Sequence, residues 1–327
     1  MNKKVLITGA AGFIGAKVAF DLIKNGFDVV GVDSMSRYYS PEYKTYRLRY
    51  FGIEKVVQVL DIADDEAVKA VFRQFKPDIV VNLAAQGGVR ASKYDPRPYV
   101  MTNQLGFVNL LECAEKFGVE KFVYASSSSV YGDGLVPPFK ESAILPEPKS
   151  LYAASKISNE LVAQYLPSGG TQRIGLRFFT VYGPLGRPDM AVFRLLSSSI
   201  LGETFNLTAD LDTSRDFTFV DDVSLNILEI VGEKYFDLPR ILNIAGSRPY
   251  SLSNVLTILE AANIDIKFHI DAKDPLDAKI THGSTAKLVE AGLTVPKTPL
   301  EQGLLSTWDW MRSCNLEELR SWYEYTT

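Results

Sequence analysis

The chain has 327 residues, 46% of them hydrophobic and 23% charged, with a formal net charge of -4. This is the composition of a globular protein large enough for one big domain or two unequal ones, and the acidic balance excludes the basic footprint of a nucleic-acid partner. Cys113 and Cys314 give no disulfide framework and suit a reducing compartment, His269 and His282 give no readable metal site, and no apolar run reaches membrane-spanning length.

Met1-Asn2-Lys3-Lys4 has the charge of a signal start, but the apolar stretch after it breaks at Gly9 with no cleavage-like end, so the chain is read as cytoplasmic. Residues 4–8 form an apolar run that enters Gly9-Ala-Ala-Gly12-Phe-Ile-Gly15, and an amphipathic stretch then runs to a stop at Gly26. Strand, glycine turn and helix in that order let backbone N–H groups approach a diphosphate at a helix N-terminus. The next strand, 28–32, ends at Asp33. An acid there accepts hydrogen bonds from ribose hydroxyls and repels a 2′-phosphate, which favours NAD over NADP. Residues 34–50 are tyrosine-rich and basic, a loop with a short helix.

A third strand, 56–60, ends at Asp61, and Asp64 is a good N-cap for a helix reaching Phe75. Residues 79–83 are near-continuously apolar, as a parallel strand covered on both faces requires, and they open into Ala84-Ala-Gln86-Gly-Gly-Val-Arg90. One long helix is predicted over 99–117. A fifth strand, 121–125, opens into Ser126-Ser-Ser-Ser-Val-Tyr-Gly132, and a proline-rich loop follows. After the helix that begins at Leu151, a strand over 174–181 leads to Gly183 and Arg187-Pro-Asp-Met190. Alternating strands and helices predict an α/β fold, a Rossmann-type doubly wound parallel sheet over 1–182. A smaller α/β C-terminal substrate domain is expected over most of 183–327, with a segment near 215–245 returning to the sheet. Residues 300–325 read as one or two amphipathic helices whose three tryptophans serve packing.

Tyr152 and Lys156 stand four apart in a helical pattern, on one face and one turn apart. An ammonium beside a phenol favours the phenolate. The pair is therefore expected to form a base that takes a proton from an alcohol near neutral pH.

Together these features resemble the extended short-chain dehydrogenase/reductases, and among them the NAD-dependent sugar-nucleotide epimerases. The glycine pattern, Asp33, Asp61-Ile62, the serine-rich strand end, Tyr152-xxx-Lys156 and Arg215-Asp-Phe-Thr-Phe-Val occur in that order along almost the whole chain. The segments 84–90, 126–132 and 177–191 are most similar to UDP-glucuronate 4-epimerases. The resemblance implies catalysis by Tyr152 as base and acid, with Lys156 on the nicotinamide ribose and Ser127 on the reacting hydroxyl. It implies NAD held by Gly9, Gly12, Phe13, Ile14, Gly15, Asp33, Asp61, Ile62, Leu83, Ala84 and Ala85 together with Tyr152 and Lys156. It implies a UDP-sugar held by Gln86, Arg90, Ser128, Ser129, Thr180, Arg187, Met190, Arg215 and Asp277. Thr180 stands where many neutral-sugar epimerases carry asparagine, and Arg90 and Arg187 are cations available to a hexuronate carboxylate or the diphosphate. Relatives commonly form a homodimer through the helices corresponding to 99–117 and 151–166.

The pattern also departs from the family. Asp274-Pro-Leu-Asp277 replaces Gln-Pro-Gly-Asp, Gly283-Ser284 replaces Ala-Asp, and Gly87-Gly88 replaces the usual Ala-Gly. These changes bear on the exact nucleotide and sugar. Ser128 and Ser129 stand where 4,6-dehydratases carry Asp-Glu, and hexuronate decarboxylases carry a glutamate at the Ser129 place, so both readings rank below epimerisation. A 4-epimerase of a neutral UDP-sugar is the nearest alternative. A nucleotide-sensing regulator without chemistry is disfavoured because tyrosine and lysine are both kept.

Overall fold

The computed structural model describes residues 2–232, 238–271 and 278–325. Among these residues seven strands form one parallel sheet: β1 (Lys4–Thr8), β2 (Asp28–Asp33), β3 (Val57–Val59), β4 (Ile79–Asn82), β5 (Lys121–Ser127), β6 (Gln172–Phe178) and, much later in the chain, β10 (Ile241–Ile244). The order is β10-β6-β5-β4-β1-β2-β3, so the winding reverses between β1 and β4, and a crevice opens beyond their carboxyl ends. The fold is the Rossmann-type α/β class. β4 is buried at all four positions, the reason Ile79, Val80 and Val81 are apolar without alternation, and its last residue, Asn82, accepts from the Thr8 hydroxyl.

Helices α1 (Phe13–Lys24), α2 (Pro41–Phe51), α3 (Asp65–Phe75), the short α4 (Ala91–Tyr94), α5 (Gly106–Lys116) and α6 (Leu151–Tyr165) intervene between the strands. Asp64 accepts from the Ala67 N–H as the N-cap of α3, worth about 1 kcal/mol. One core, with Ile7, Val81 and Leu176 of the sheet, packs against α1 and against Val223 and Ile227 of α8 (Val220–Val231). Another, on Leu6, Val80 and Phe122, packs against α3 and α5.

Two expected elements are broken. Residues 99–117 are not one α-helix: Tyr99–Leu105 is a π-helical segment that runs into α5. The wider turn aims Asn103 inward, where it holds both the N–H and the C=O of Gln86. Gly106 then lies so close to Ile62 that a Cβ would stand 2.5 Å from its side chain. Likewise 174–181 is not one strand. β6 ends at Phe178, and β7 (Thr180–Tyr182) leaves the large sheet to pair with β9 (Ser214–Phe219), which also carries β11 (Pro249–Ser251). β8 (Phe205–Leu207) pairs with β12 (Phe268–Ile270), and α7 (Ala191–Leu201), α9 (Leu252–Ala261), α10 (Ala286–Glu290), α11 (Leu300–Arg312) and α12 (Leu316–Glu324) complete the described α-helices. Trp310 and Trp322 are buried in a core of their own with α7 and α9 residues, and Trp308 packs against it. No helix among the described residues is long and apolar enough to cross a membrane.

Candidate active site

A cleft of about 1100 Å³ opens at the carboxyl ends of the large sheet and reaches β7, β8 and β9. All of the expected site residues line it except Asp277, which lies outside the described residues.

The glycine loop forms one end. A Cβ on Gly15 would stand 2.1 Å from the Gly9 carbonyl, and one on Gly9 would meet the backbone of Leu83 and Ala84 at 2.7–2.9 Å. The turn therefore closes only without side chains, and Gly9 also has φ +68. Asp33 is buried at the tip of β2, where it accepts the N–H of Ala11 at 3.1 Å and of Met35 at 2.8 Å. Lys44 reaches the same carboxylate at 3.3 Å and donates to Ser36. Fully buried Arg47 donates to the Ala11 carbonyl at 2.7 Å and to Leu185 at 2.9 Å, tying the glycine loop to the segment after β7.

At the middle of the cleft, α6 starts at its N-cap Ser150 and presents Tyr152 and Lys156 inward. The structure corrects the expected electrostatics of this pair. Lys156 turns its ammonium to the Ala125 carbonyl at 2.9 Å and stands 5.8 Å from the Tyr152 ring centroid. Burial, the largest influence, holds the Tyr152 phenol above its ordinary value, while Ser127 and the charge of Arg187 pull it down. Burial also lowers Lys156 itself to about 8, against a smaller opposing pull from Glu160. The reason is that sharing a helix face fixes the Cβ directions but not the ammonium, which takes the nearest buried acceptor.

Behind the pair, Glu160 binds Arg177 through two hydrogen bonds of 2.7 and 2.9 Å and accepts from Ser126 at 2.6 Å, so the strand end that carries Ser127 is anchored to α6. Ser127 accepts the Ser129 N–H at 3.2 Å, and the Ser129 hydroxyl is buried with no hydrogen-bond partner among the described residues. Thr180 lines the wall as the first residue of β7, and Met190 as the N-cap of α7.

The arginines at the far end are already engaged. Arg187 binds Asp189 through Nε at 3.0 Å and Nη2 at 2.6 Å, and Tyr38 donates to the same carboxylate at 3.0 Å. Arg90 donates to Thr208 at 2.8 Å, and Arg215 donates to the carbonyls of Ser214 and Ala278.

The model of the NAD dependent epimerase/dehydratase family matches residues 5–245. The chain belongs to this family. A UDP-glucuronate 4-epimerase from Thermodesulfobacterium geofontis is 35% identical, with 97% of this chain and 98% of that one covered. The solved UDP-glucuronic acid 4-epimerase from Bacillus cereus, in complex with UDP-glucuronic acid and NAD, is similar with a TM-score of 0.87 and 29% identity over 97% of this chain and 99% of that one. UDP-glucose 4-epimerase from Thermotoga maritima, with UDP-glucose, is similar with a TM-score of 0.86 and 29% identity over 94% and 98%.

The family cofactor is NAD, and the residues present fit it. The side-chain-free turn at Gly9, Gly12 and Gly15 leaves room at the N-terminus of α1 for a diphosphate. Asp33 lines the cleft at the carboxyl end of β2. Several contributors were not picked out from the sequence. These are Lys44 beside Asp33, Tyr38 and Asp189 around Arg187, Tyr99 on the carbonyls of Gly87 and Gly88, and Asn103 on Gln86, with Tyr38 reaching Asp189 from 151 residues away. The only signals were the tyrosine-rich basic stretch after Asp33 and the inward polar positions of the 99–117 helix.

Proposed function

We propose that this family member is a UDP-sugar 4-epimerase that interconverts UDP-glucuronate and UDP-galacturonate. The observation that carries the reading is the meeting of Tyr152, Lys156 and Ser127 in the same cleft as the glycine turn and Arg187. NAD, held by the glycine turn, Asp33 and Lys156, would supply a reversible hydride acceptor for C4 and a positive charge in the cleft, and the 4-keto sugar would turn over before hydride returns to its opposite face. Tyr152 takes the proton of the 4-hydroxyl and gives it back at the end of the cycle. Ser127 holds that hydroxyl, and the unpartnered Ser129 hydroxyl takes a second polar group of the sugar. Lys156, fixed on the Ala125 carbonyl, holds the nicotinamide ribose. The 4-keto form of a hexuronate is a β-keto acid that tends to lose carbon dioxide, so its carboxylate must be held, here by Arg187 and Thr180.

The test is turnover of UDP-glucuronate followed by separation of the two UDP-hexuronates. Appearance of UDP-galacturonate without release of carbon dioxide is the expected result. Turnover of UDP-glucose with none of UDP-glucuronate would overturn the substrate assignment. One observation favours that neutral-sugar reading: Arg187 is already neutralised by Asp189.

Two further parts of the proposal concern context. Val100, Met101 and Leu105 of the π segment and Leu161 and Tyr165 of α6 are 42–74% exposed, and these two elements pack together. An apolar face of this kind supports a homodimer, to be checked by mass in solution. Cys113 and Cys314 are free and buried, and the charge is -4, which supports a cytoplasmic enzyme with no nucleic-acid partner.

A further inference from the structure

We infer that Asp216 is a positioning residue for the nucleotide of the substrate: its buried carboxylate pins residues 278–284 to β9 and so sets the stretch of cleft wall on which Arg215 is seated. The inference rests on the UDP-sugar reading and deepens it, whichever sugar is bound.

Side chains alternate along β9. Arg215 and Phe217 line the cleft, and Asp216 between them points the other way and is fully buried. There it meets a strap, residues 278–284, that runs past β9 toward α10. The Asp216 N–H donates to the Thr281 hydroxyl at 3.2 Å, and the Asp216 carboxylate accepts the Gly283 N–H at 2.9 Å. Main-chain bonds from Ser214 to Lys279 and Thr281 lengthen the seam. The strap is also held by Phe139, which bonds His282 and Ser284 through the main chain, and by the Ser247 hydroxyl on the Gly283 carbonyl. Ala278 and Thr281 line the cleft, and the Ala278 carbonyl takes the Arg215 guanidinium at 2.7 Å. A guanidinium seated in the wall is a preplaced cation for a diphosphate. Asp216 acts on the ligand only through this strap.

The carboxylate is costly to keep charged. Its Oδ1 is buried and makes no hydrogen bond among the described residues. Burial, the largest influence, pushes the carboxyl up to about 6, against lowering pulls from the Gly283 N–H, from His282 and from the N–H groups of Gly246 and Ser247. A raised carboxyl takes stability from the folded chain above that pH and returns it on acidification. Stability alone therefore favours the neutral acid. What the charge provides is a strong acceptor for the strap. Of the charged and titratable groups on the elements packed against it, His282 of the strap acts on it. Lys279 pairs with Asp212, Arg248 lies beyond Ser247 in the loop after β10, and Arg215 leaves by the opposite face of β9. A proton added to the carboxyl faces N–H donors, and the bond that holds Gly283 weakens. Below about pH 6 the strap is thus released, and the seat of Arg215 with it.

The experiment titrates UDP-glucose into the NAD-loaded chain from pH 8 to pH 5, a range over which the diphosphate diester keeps its charge. Wild type is expected to bind about tenfold more weakly at pH 5, where about a tenth of Asp216 stays charged. Asp216→Asn is expected to bind about tenfold more weakly already at pH 8 and to change no further at pH 5, with NAD affinity within about twofold of wild type. His282→Gln, which removes the other group that titrates in this range, is expected to keep the acid weakening. A wild-type affinity that does not fall, a fall that persists in Asp216→Asn or vanishes in His282→Gln, or an equal loss of NAD affinity would each overturn the inference. If Asp216→Asn does not fold, Ser247→Ala decides, since it loosens the same strap from outside the cleft. Unchanged UDP-glucose binding in that variant overturns the inference, and weaker binding with NAD affinity kept supports it. A wild-type chain that binds neither UDP-glucose nor UDP-glucuronate at pH 8 overturns the parent reading instead, and is seen before any variant is made.

Discussion

The two ends of the cleft are built from different materials. The dinucleotide end is backbone: a turn of glycines in van der Waals contact with one another, a helix N-terminus, and an acid that accepts main-chain N–H groups. The sugar end is side chain: Arg187 on Asp189, Arg90 on Thr208, Arg215 on carbonyls, and a Ser129 hydroxyl with no partner among the described residues. Backbone sites are fixed once the strands and helices form, so they bind one shape. Side-chain sites are fixed by neighbours that single substitutions can change, so a common frame can serve different sugars.

The sharpest test of this contrast falls on the residue between the two ends. Tyr152→Phe keeps the ring and its packing 6.3 Å from Tyr99 and removes only the hydroxyl. Turnover is expected to fall by about a thousandfold or more, the range of a lost general acid-base group, while NAD affinity, read by titration, stays within about twofold. Loss of NAD binding in this variant would mean that the tyrosine builds the dinucleotide end rather than joining it to the sugar.

How much of this was legible in the sequence follows the same division. The order of strands, the glycine turn, Asp33 and the helix of Tyr152 were legible because backbone geometry leaves local marks: apolar runs, glycines and caps. The direction of the Tyr152 shift was not. Neither spacing nor residue type says that Lys156 prefers the Ala125 carbonyl or that burial outweighs the charge of Arg187. The π segment was hidden for a similar reason, because Asn103 turns inward to reach Gln86 and Ser155, far away in sequence. The setting of Arg187 was hidden too, because Tyr38 reaches Asp189 from 151 residues away.

Gly15→Ala tests the backbone end. Its Cβ would lie 2.1 Å from the Gly9 carbonyl, and neither backbone group can step aside as a side chain can. Overpacking of this kind costs about 1–3 kcal/mol or more, so the melting temperature is expected to fall, together with NAD affinity. An unchanged affinity would show that the turn is plastic and the contrast false.

Lys156→Met separates stability from function. The ammonium is buried, and its pKa of about 8 lies below the ordinary 10.5. A depressed lysine costs stability wherever the folded chain still carries the charge, so the full cost is present below about pH 8. Between 8 and 10.5 the unfolded chain binds more protons than the folded one, and wild-type stability rises with pH. The cofactor-free methionine variant is therefore expected to be the more stable at pH 7, by on the order of 3 kcal/mol, and to lose that advantage as the pH approaches 10. Its turnover is expected to fall severely. Denaturant melts across this pH range are the measurement. A variant less stable than wild type at pH 7 would show that the bond to Ala125 outweighs the buried charge.

The smallest effect is expected at Arg90. Its side chain is exposed and reaches from the loop after β4 to Thr208 just beyond β8, so the contact crosses the mouth of the cleft. Hydrogen bonds in such settings contribute about 1 kcal/mol or less. Arg90→Ala should therefore raise KM for the UDP-sugar by less than about fivefold, with kcat unchanged and the melting temperature within a degree or two. If KM instead rises far more, and the rise shrinks at high salt, Arg90 leaves Thr208 to meet the diphosphate when substrate binds. In that case the sugar end is not fixed beforehand even at its rim, and its side chains re-pair around each ligand while the glycine turn stays as it is.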